Sequence, residues 1–219
     1  MKTRIIAINQ EKGSEEAAAR AAGEVLKSGG IAAFPTDTVY GLGAVYSDRN
    51  AIRKIFEAKG RPENKPLSIL VADRGQVDLL AEEVSEAAKT LMEQFWPGAL
   101  TLIFRKKASA GIPEEVTAGG DTIGVRMPDC DLTVRIIEQA KAPLAAPSAN
   151  LSGKRSAACG QDVIEDLFGR VDLIIDSGEC PVGVSSTVID MSGQRMRILR
   201  EGTVTADMIE EITGIRPDQ

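Results

Sequence analysis

The sequence predicts an α/β protein, and two observations support that prediction. Short apolar segments that suit buried strands alternate with longer segments whose apolar residues recur at helical spacing. Polar and basic residues directly follow several of the apolar segments, and open α/β sheets bind ligands beyond the ends of their strands. We therefore expect a sheet flanked by helices, with a ligand site at the strand ends.

The N-terminal part of the chain shows this alternation clearly. Arg4 to Ile8 is a predicted strand, and the alanine-rich segment Ser14 to Lys27 is a predicted helix that ends at a Ser-Gly-Gly turn. The apolar run in GGIAAFP predicts a buried strand, because it is short and bounded by turn residues. A helix is predicted over Arg49 to Ala58, with Asp48 as its N-cap.

The later elements follow from the same signals. Strands are predicted at Leu67 to Val71, Leu100 to Arg105, Thr122 to Pro128, Ser185 to Asp190 and Leu199 to Gly202, and at the start of the segment Pro143 to Gly153. Helices are predicted at Gln76 to Leu80, Ser85 to Gln94, Leu132 to Gln139, Asp162 to Phe168 and Ala206 to Ile212. Trp96-Pro97-Gly98 is a predicted turn.

Length and composition restrict the class of protein. The 219 residues contain no linker and no low-complexity stretch, so we expect a single domain over residues 1–219. No apolar run approaches the roughly 18–20 residues of a membrane span, and the N-terminus lacks the apolar core of a signal peptide. Cys130, Cys159 and Cys180 are odd in number and form no zinc pattern, which favours a reducing compartment and a cytoplasmic location.

The absence of histidine excludes several kinds of catalysis. With no histidine in the sequence there is no Ser–His–Asp triad, no Cys–His pair and no histidine-based metal site. We therefore expect no protein-bound metal. Chemistry at a ligand site must rely on lysine, arginine, hydroxyl groups and carboxylates.

The segment KGRPENKPL concentrates positive charge in a protein whose net charge is −6. It contains Lys59, Arg61 and Lys65 together with two prolines, which fix the backbone and push the preceding residue toward extended geometry. A cation on a stiff loop loses less entropy when it binds a phosphate or a carboxylate. Taken alone, the cluster also fits an ordinary solvated turn.

Other polar residues follow predicted strands. The segment FPTDTVYGLGA presents Thr36, Asp37, Thr38 and Tyr40, which suit recognition of a small polar molecule or simply a polar turn. Later segments add Arg126, Ser148, Asn150, Ser152, Ser186, Thr187 and Arg200. Together these are the residues that an ATP-handling site without a Walker motif would use.

Seven motifs in order resemble the YrdC-type threonylcarbamoyl-AMP synthases. They are FPTDTVYGLGA, KGRPENKPL, FWPGALTLI, TIGVRMP, PSAN, SSTVID and LREG, and they cover about Ala32 to Gly202. Both paired signatures of that family, K-x-R and S-x-N, are intact as Lys59/Arg61 and Ser148/Asn150. The resemblance implies a twisted mixed sheet with flanking helices and a concave basic groove that holds the active site. It also implies the short, single-domain form, because members with a second C-terminal domain are longer.

The resemblance implies a specific reaction. The family condenses L-threonine, bicarbonate and ATP to L-threonylcarbamoyladenylate and pyrophosphate, so the chain is expected to be a nucleotidyltransferase. Mg²⁺ is expected to arrive with the ATP. The product is expected to pass to a tRNA-modifying threonylcarbamoyl transferase complex, which modifies N6 of adenosine 37. Adenylyl transfer depends mainly on positioning and on cations near the phosphates, which agrees with a site that lacks histidine.

Roles for individual residues also come from the resemblance. Catalytic roles fall on Lys59, Arg61, Ser148 and Asn150; ATP contacts on these four and on Lys65, Thr122, Ser156 and Arg200; threonine contacts on Thr38, Arg126, Ser186 and the backbone of Ala146. Arg126 suits the threonine carboxylate, because a guanidinium pairs with it bidentately. One position departs from the family: Leu70 stands where some relatives have a histidine near the threonine.

Two other functions fit parts of the sequence. One is an enzyme that forms carbamoyl-AMP, like the related domain of hydrogenase maturation proteins, although the zinc-finger cysteines of those proteins are absent here. The other is a non-catalytic module that binds double-stranded RNA. A net charge of −6 and 4% aromatic residues argue against strong RNA binding, so we expect RNA affinity to be weak.

Overall fold

The structure is a computed structural model that describes residues 2–9 and 13–218. Within these ranges the strands are β1 (Arg4–Ala7), β2 (Ala32–Phe34), β3 (Gly41–Val45), β4 (Ser68–Leu70), β5 (Leu100–Arg105), β6 (Thr122–Arg126), β7 (Leu144–Ala145), β8 (Leu173–Asp176), β9 (Thr187–Asp190) and β10 (Arg197–Arg200). The α-helices are α1 (Ser14–Lys27), α2 (Arg49–Lys59), α3 (Val77–Leu80), α4 (Glu86–Phe95), α5 (Glu114–Thr117), α6 (Asp131–Ala140), α7 (Gly160–Leu167) and α8 (Ala206–Thr213).

The described strands form one mixed sheet in the order β1-β8-β2-β3-β7-β4-β6-β5-β9-β10. Neighbours are parallel at β1/β8, β8/β2, β4/β6 and β5/β9, and antiparallel at the other junctions. The predicted α/β class and the mixed sheet implied by the family resemblance are therefore confirmed. Strands β4, β6, β5 and β9 are consecutive in this order, and each contributes at least one residue to the lining of a cavity.

Apolar residues cover both faces of the sheet, as the alternation of side chains along a strand requires. On β4, Ile69 belongs to one buried cluster and its neighbour Leu70 to the other. Helices α1 and α6 pack together over the second cluster. A Cβ at Gly23 of α1 would lie 2.5 Å from the Cβ of Gln139, so the glycine allows the two helices to approach closely.

Helix α2 leads into the basic segment, and residues next to the helix determine where it begins and ends. At its start Asp48 Oδ1 accepts hydrogen bonds of 3.0 Å from the backbone N–H groups of Asn50 and Ala51, which confirms the predicted N-cap. At its end Gly60 adopts a left-handed conformation with φ of 57°. Lys59 and Arg61 lie on either side of this glycine and bind different groups: Lys59 donates to the carbonyls of Ser148 and Asn150, and Arg61 to those of Lys65 and Pro66.

Some predicted boundaries were wrong. Strands β3 and β8 were not predicted, and the last strand lies at Arg197–Arg200 rather than at Leu199 to Gly202. The glycines of β3 resemble turn residues, but a Cβ at Gly43 would lie 2.6 Å from Phe34 Cε1. The glycine is therefore required because an aromatic ring packs directly over the strand.

Two further features of the fold concern the cysteines and the helices. Cys130, Cys159 and Cys180 are free. Burial raises the pKa of Cys180 to about 11, so this thiol stays protonated near neutral pH and is a poor nucleophile. Across residues 2–9 and 13–218, no helix combines the length and the apolar character needed to cross a membrane.

Candidate active site

A cavity of about 210 Å³ opens at the ends of the central strands. Its lining residues are Thr36, Thr38, Val39, Tyr40, Gly41, Arg61, Pro66, Ser68, Leu70, Thr101, Arg126, Ala146, Pro147, Ser148, Ser185, Ser186, Val188 and Arg200. Three of these described residues are arginines and none is an aspartate or a glutamate. The cavity therefore suits an anionic ligand.

Arg126 is the deepest cation of the cavity and is held by three protein groups. Its Nη2 donates to Asp37 Oδ1 at 2.5 Å, its Nη1 to Thr38 Oγ1 at 2.6 Å and its Nε to the carbonyl of Gly98 at 2.9 Å. A guanidinium has five N–H donors, so two are left for a ligand. Burial lowers the pKa of Arg126, and the neighbouring Asp37 carboxylate opposes that change and favours the cation.

The turn that presents Asp37 is built by its own hydroxyl groups. Thr36 Oγ1 accepts from the N–H groups of Thr38 at 3.1 Å and Val39 at 3.3 Å, and it donates to the carbonyl of Val39 at 2.7 Å. Asp37 Oδ1 also accepts from the N–H of Asp129 at 3.2 Å. The sequence predicts that the Asp37 carboxylate helps to recognise a small polar molecule, but Asp37 does not line the cavity and instead pairs with Arg126. Its role is clear only from the tertiary contact with Arg126.

A second corner of the cavity is organised around Ser186. Arg200 donates from Nε to the Ser186 carbonyl at 2.9 Å and from Nη2 to Ser186 Oγ at 3.2 Å. Thr101 Oγ1 lies 2.9 Å from Ser186 Oγ, and the Thr101 side chain is buried. The positive charge of Arg200 contributes to lowering the pKa of Arg126. Two guanidinium groups therefore repel each other across the cavity, and an anion between them would relieve that repulsion.

Thr101 and Ser68 were missed by sequence reasoning. Thr101 lies on β5 and Ser68 on β4, and Gly124 of β6 lies between them: a Cβ at Gly124 would approach both Ser68 Oγ and Thr101 Cγ2 to 3.2 Å. The only sequence signal is a hydroxyl residue within an otherwise apolar strand. Such a residue also occurs in ordinary sheets, so the signal alone was insufficient.

Arg61 lines the cavity and is oriented by its own loop. Its Nε donates to the Lys65 carbonyl at 3.3 Å and its Nη2 to the Pro66 carbonyl at 3.0 Å. Partial burial lowers the pKa of Arg61. In the described part of the chain no carboxylate pairs with it, so its charge is available to a ligand.

Lys59 behaves differently from Arg61. Its Nζ donates to the backbone carbonyls of Ser148 and Asn150, and the side chain does not line the cavity. Burial, followed by repulsion from Arg61, lowers the pKa of Lys59 to about 8, and the charge of Asp166 opposes this shift.

Seven of the twelve predicted site residues line the cavity: Thr38, Arg61, Arg126, Ala146, Ser148, Ser186 and Arg200. The other five, Lys59, Lys65, Thr122, Asn150 and Ser156, do not. Ser156 Oγ lies 3.3 Å from the hydroxyl of the lining residue Ser185, whereas Lys65 is exposed. Leu70 lines the cavity, so the departure from the family pattern is located at the site itself.

Comparison with known proteins identifies the family. The model of the Sua5/YciO/YrdC family, described as "Telomere recombination", matches residues 24–202. The chain belongs to this family. The Threonylcarbamoyl-AMP synthase of Pyrococcus abyssi is 45% identical over 95% of the chain, and that of Bacillus subtilis is 43% identical over 98%. The chain spans 61% and 62% of the lengths of these two proteins. The resemblance stated from the motifs is confirmed.

Solved structures of this family share the fold. The P. abyssi Sua5 structure in complex with L-threonine matches with a TM-score of 0.91 and 41% identity, covering 100% of this chain and 63% of that one. Escherichia coli YciO matches with a TM-score of 0.82 at 24% identity, covering 95% of this chain and 100% of that chain, and shows the fold alone. A shorter relative from Methanocaldococcus jannaschii, named a putative threonylcarbamoyl-AMP synthase, is 37% identical, and the match covers 82% of its length.

Proposed function

We propose that this chain condenses L-threonine, bicarbonate and ATP to L-threonylcarbamoyl-AMP and pyrophosphate. The observation that supports this most directly is the cavity, where Arg61, Arg126 and Arg200 converge with hydroxyl side chains and no carboxylate lines the described surface. Relatives at 43–45% identity carry the name Threonylcarbamoyl-AMP synthase, and one solved Sua5 structure contains L-threonine.

The amino acid end of the cavity is proposed at Arg126. The two N–H donors that the protein leaves unused would bind the threonine carboxylate. Thr38 and Ser186 provide hydroxyl groups near it, and Leu70 provides apolar surface for the threonine methyl group. The environment therefore matches a small amino acid with a polar and an apolar branch.

The phosphate end is proposed at Arg61 and Arg200, with Ser148 on the neighbouring wall. In the proposed reaction the threonine nitrogen bonds to the carbon of bicarbonate and water leaves. The carbamate oxygen then attacks the α-phosphorus of ATP, the bond to the β-phosphate bridge breaks, and pyrophosphate leaves. The arginines would hold the phosphates in line and neutralise the charge that develops on the leaving group.

Mg²⁺ is proposed to enter with ATP rather than to have a protein cage. The described lining offers hydroxyl groups but no carboxylate, and Mg²⁺ in such sites is held by substrate phosphates and water. The product is a reactive mixed anhydride, so a transferase that uses it must follow. We propose a threonylcarbamoyl transferase complex acting on adenosine 37 of tRNA, in the cytoplasm.

The function is tested by measuring pyrophosphate release. We expect release to require L-threonine and bicarbonate together, with L-serine much poorer because it lacks the methyl group that Leu70 would contact. A mass spectrum of the product should contain the adenylate of carbamoylated threonine. Equal rates with L-alanine, or release that does not depend on bicarbonate, would contradict the proposal.

A further inference from the structure

The two signature pairs of the family each divide into a member that lines the cavity and a member that does not. Arg61 and Ser148 line it. Lys59 and Asn150 are 2% and 5% exposed and do not. The two members of each pair are only two residues apart in sequence, and their residue types give no reason to assign them different roles. The difference between them is visible only in the folded chain.

The Lys59 side chain hydrogen-bonds to the backbone of the S-x-N signature. Its ammonium donates to the carbonyls of Ser148 and Asn150, and its own carbonyl accepts from the N–H of Ser152 at 2.9 Å. Two of the three ammonium donors are therefore used within the protein. With the side chain almost completely buried, the ammonium cannot reach a phosphate in the cavity without a rearrangement.

The Asn150 side chain is likewise fully hydrogen-bonded within the protein. Its Nδ2 donates to the carbonyls of Leu151 at 2.8 Å and Lys154 at 3.0 Å, and its Oδ1 accepts from Ser148 Oγ at 2.5 Å. The two carbonyl partners require donors, so they fix which end of the amide is nitrogen. Both amide donors and the amide oxygen thus serve the loop, and Asn150 orients the one residue of the pair that lines the cavity.

A third group holds the far side of the same loop. Asp166 of α7 accepts from the N–H of Leu151 at 3.0 Å and pairs with Lys154 Nζ at 2.6 Å. Its charge also favours the protonated form of Lys59. The loop Ser148–Lys154 therefore lies between a buried ammonium that binds its carbonyls and a carboxylate that binds an N–H.

We propose that Lys59 and Asn150 are positioning residues that hold the loop Ser148–Lys154, and that they act on a ligand only through Ser148. Arg61, which lines the cavity, then supplies the direct contact of its signature. The consequence for catalysis rests on the proposed function, whereas the effect on the loop does not depend on it. In this chain Lys59 of the first signature binds the backbone of the second and so links the two.

Hydrogen exchange of the ligand-free protein tests the proposal. Lys59→Met keeps an unbranched side chain that is one atom shorter and removes its donors, and Arg61→Met is the matched control from the same signature. We expect Lys59→Met to raise amide exchange in residues 148–154 by about tenfold or more, since two buried carbonyls lose their donors. Its melting temperature should fall by several degrees. Arg61→Met should keep both values within experimental error.

Asn150→Asp provides a second variant in case Lys59→Met fails to fold. It keeps the side-chain shape but places an oxygen opposite the carbonyls of Leu151 and Lys154, so exchange in the same loop should rise. Unchanged exchange in either folded variant, or a Lys59→Met protein as stable as wild type, would overturn the proposal. That second result is expected of a buried cation that the protein keeps for a ligand.

Binding of inorganic pyrophosphate separates positioning from direct contact. Arg61→Met should weaken pyrophosphate binding without changing the loop. A Lys59→Met protein that loses pyrophosphate affinity while exchange in the loop stays as in wild type would show direct contact and contradict the proposal. If wild type released no pyrophosphate from ATP with threonine and bicarbonate, the proposed function would fall, but the exchange result would still decide the role of Lys59.

Discussion

Arg126 and Lys59 are both buried cations at the candidate active site, and their charges are stabilised by different groups. Arg126 is paired with the Asp37 carboxylate, and Lys59 is held by two neutral backbone carbonyls. Arg126 lines the cavity and Lys59 does not. A buried cation in this site is therefore not automatically a ligand contact. Whether a cation can bind a ligand depends on how many of its N–H donors are left unused by the protein.

The chemistry of the two side chains explains the division of labour. The guanidinium of Arg126 has five donors in a rigid plane, so it can bind three protein groups and still present two donors to a ligand. The ammonium of Lys59 is a compact charge with three donors, and the loop uses two of them. Neutral carbonyls also stabilise the charged form of Lys59 less than a carboxylate would, so the ammonium loses its proton more easily than it would in an ion pair.

The largest expected effect comes from breaking the ion pair. Asp37→Asn should lower the free energy of unfolding by about 3–5 kcal/mol, because it leaves a buried guanidinium without a charged partner. Denaturant unfolding measures this. The double variant Asp37→Asn/Arg126→Met should lose less than the single one. As a matched control, Asp121→Asn breaks only the exposed pair with Arg105 and should cost at most about 1 kcal/mol. A small loss in Asp37→Asn would mean that the pair is not structural.

Arg126→Lys places an ammonium where the structure has a guanidinium. The charge stays, but an ammonium cannot bind Gly98, Thr38 and Asp37 and also pair with a carboxylate. We expect kcat/KM for threonine to fall on the order of 10³-fold, with a much smaller change in KM for ATP. Steady-state pyrophosphate release measures both constants. Arg105→Lys, on the exposed part of β5, is the control and should resemble wild type. An equal loss toward ATP and threonine would argue against a threonine-specific role.

Because the partners of Lys59 are neutral, its titration should change the free energy of unfolding with pH. Its pKa is about 8 in the folded protein and ordinarily 10.5, so between these values the unfolded chain binds more protons. Stability contributed by this group therefore rises with pH through that window, by up to about 3 kcal/mol. The free-energy difference between wild type and Lys59→Met, measured by denaturant unfolding from pH 7 to 10.5, should widen. A difference that narrows would mean that the carbonyls favour the ammonium enough to raise its pKa above the ordinary value.

Arg61→Ala should change activity more than it changes the fold. Turnover should fall by about 10²-fold, because this cation would meet the charge that develops on the phosphates. The free energy of unfolding should stay within about 0.5 kcal/mol of wild type, since its protein partners are carbonyls at the loop surface. Pyrophosphate release and thermal unfolding of the same sample measure both. Wild-type turnover would return KGRPENKPL to the solvated-turn interpretation.

Local signals in the sequence were sufficient for the elements whose determinants lie within a few residues. Helix α1 and strand β5 have the predicted boundaries, and Asp48 caps α2 as predicted. Motif order was sufficient for the family, and it selected seven residues that line the cavity. Strands β3 and β8 were missed, because glycines in the first and the absence of alternation in the second hide strands that are recognised only through their neighbours.

The role of each polar residue depends on contacts between parts of the chain that are distant in sequence. Asp37 and Arg126 are 89 residues apart in sequence, and Lys59 is 89 and 91 residues from the carbonyls that it binds. No local pattern encodes such distant pairs. Residue type predicts which contacts a side chain can make, but the packing of the loop Ser148–Lys154 against the end of α2 determines which contacts are already satisfied. The donors left over, as on Arg126 and Arg61, are what the cavity can offer to a ligand.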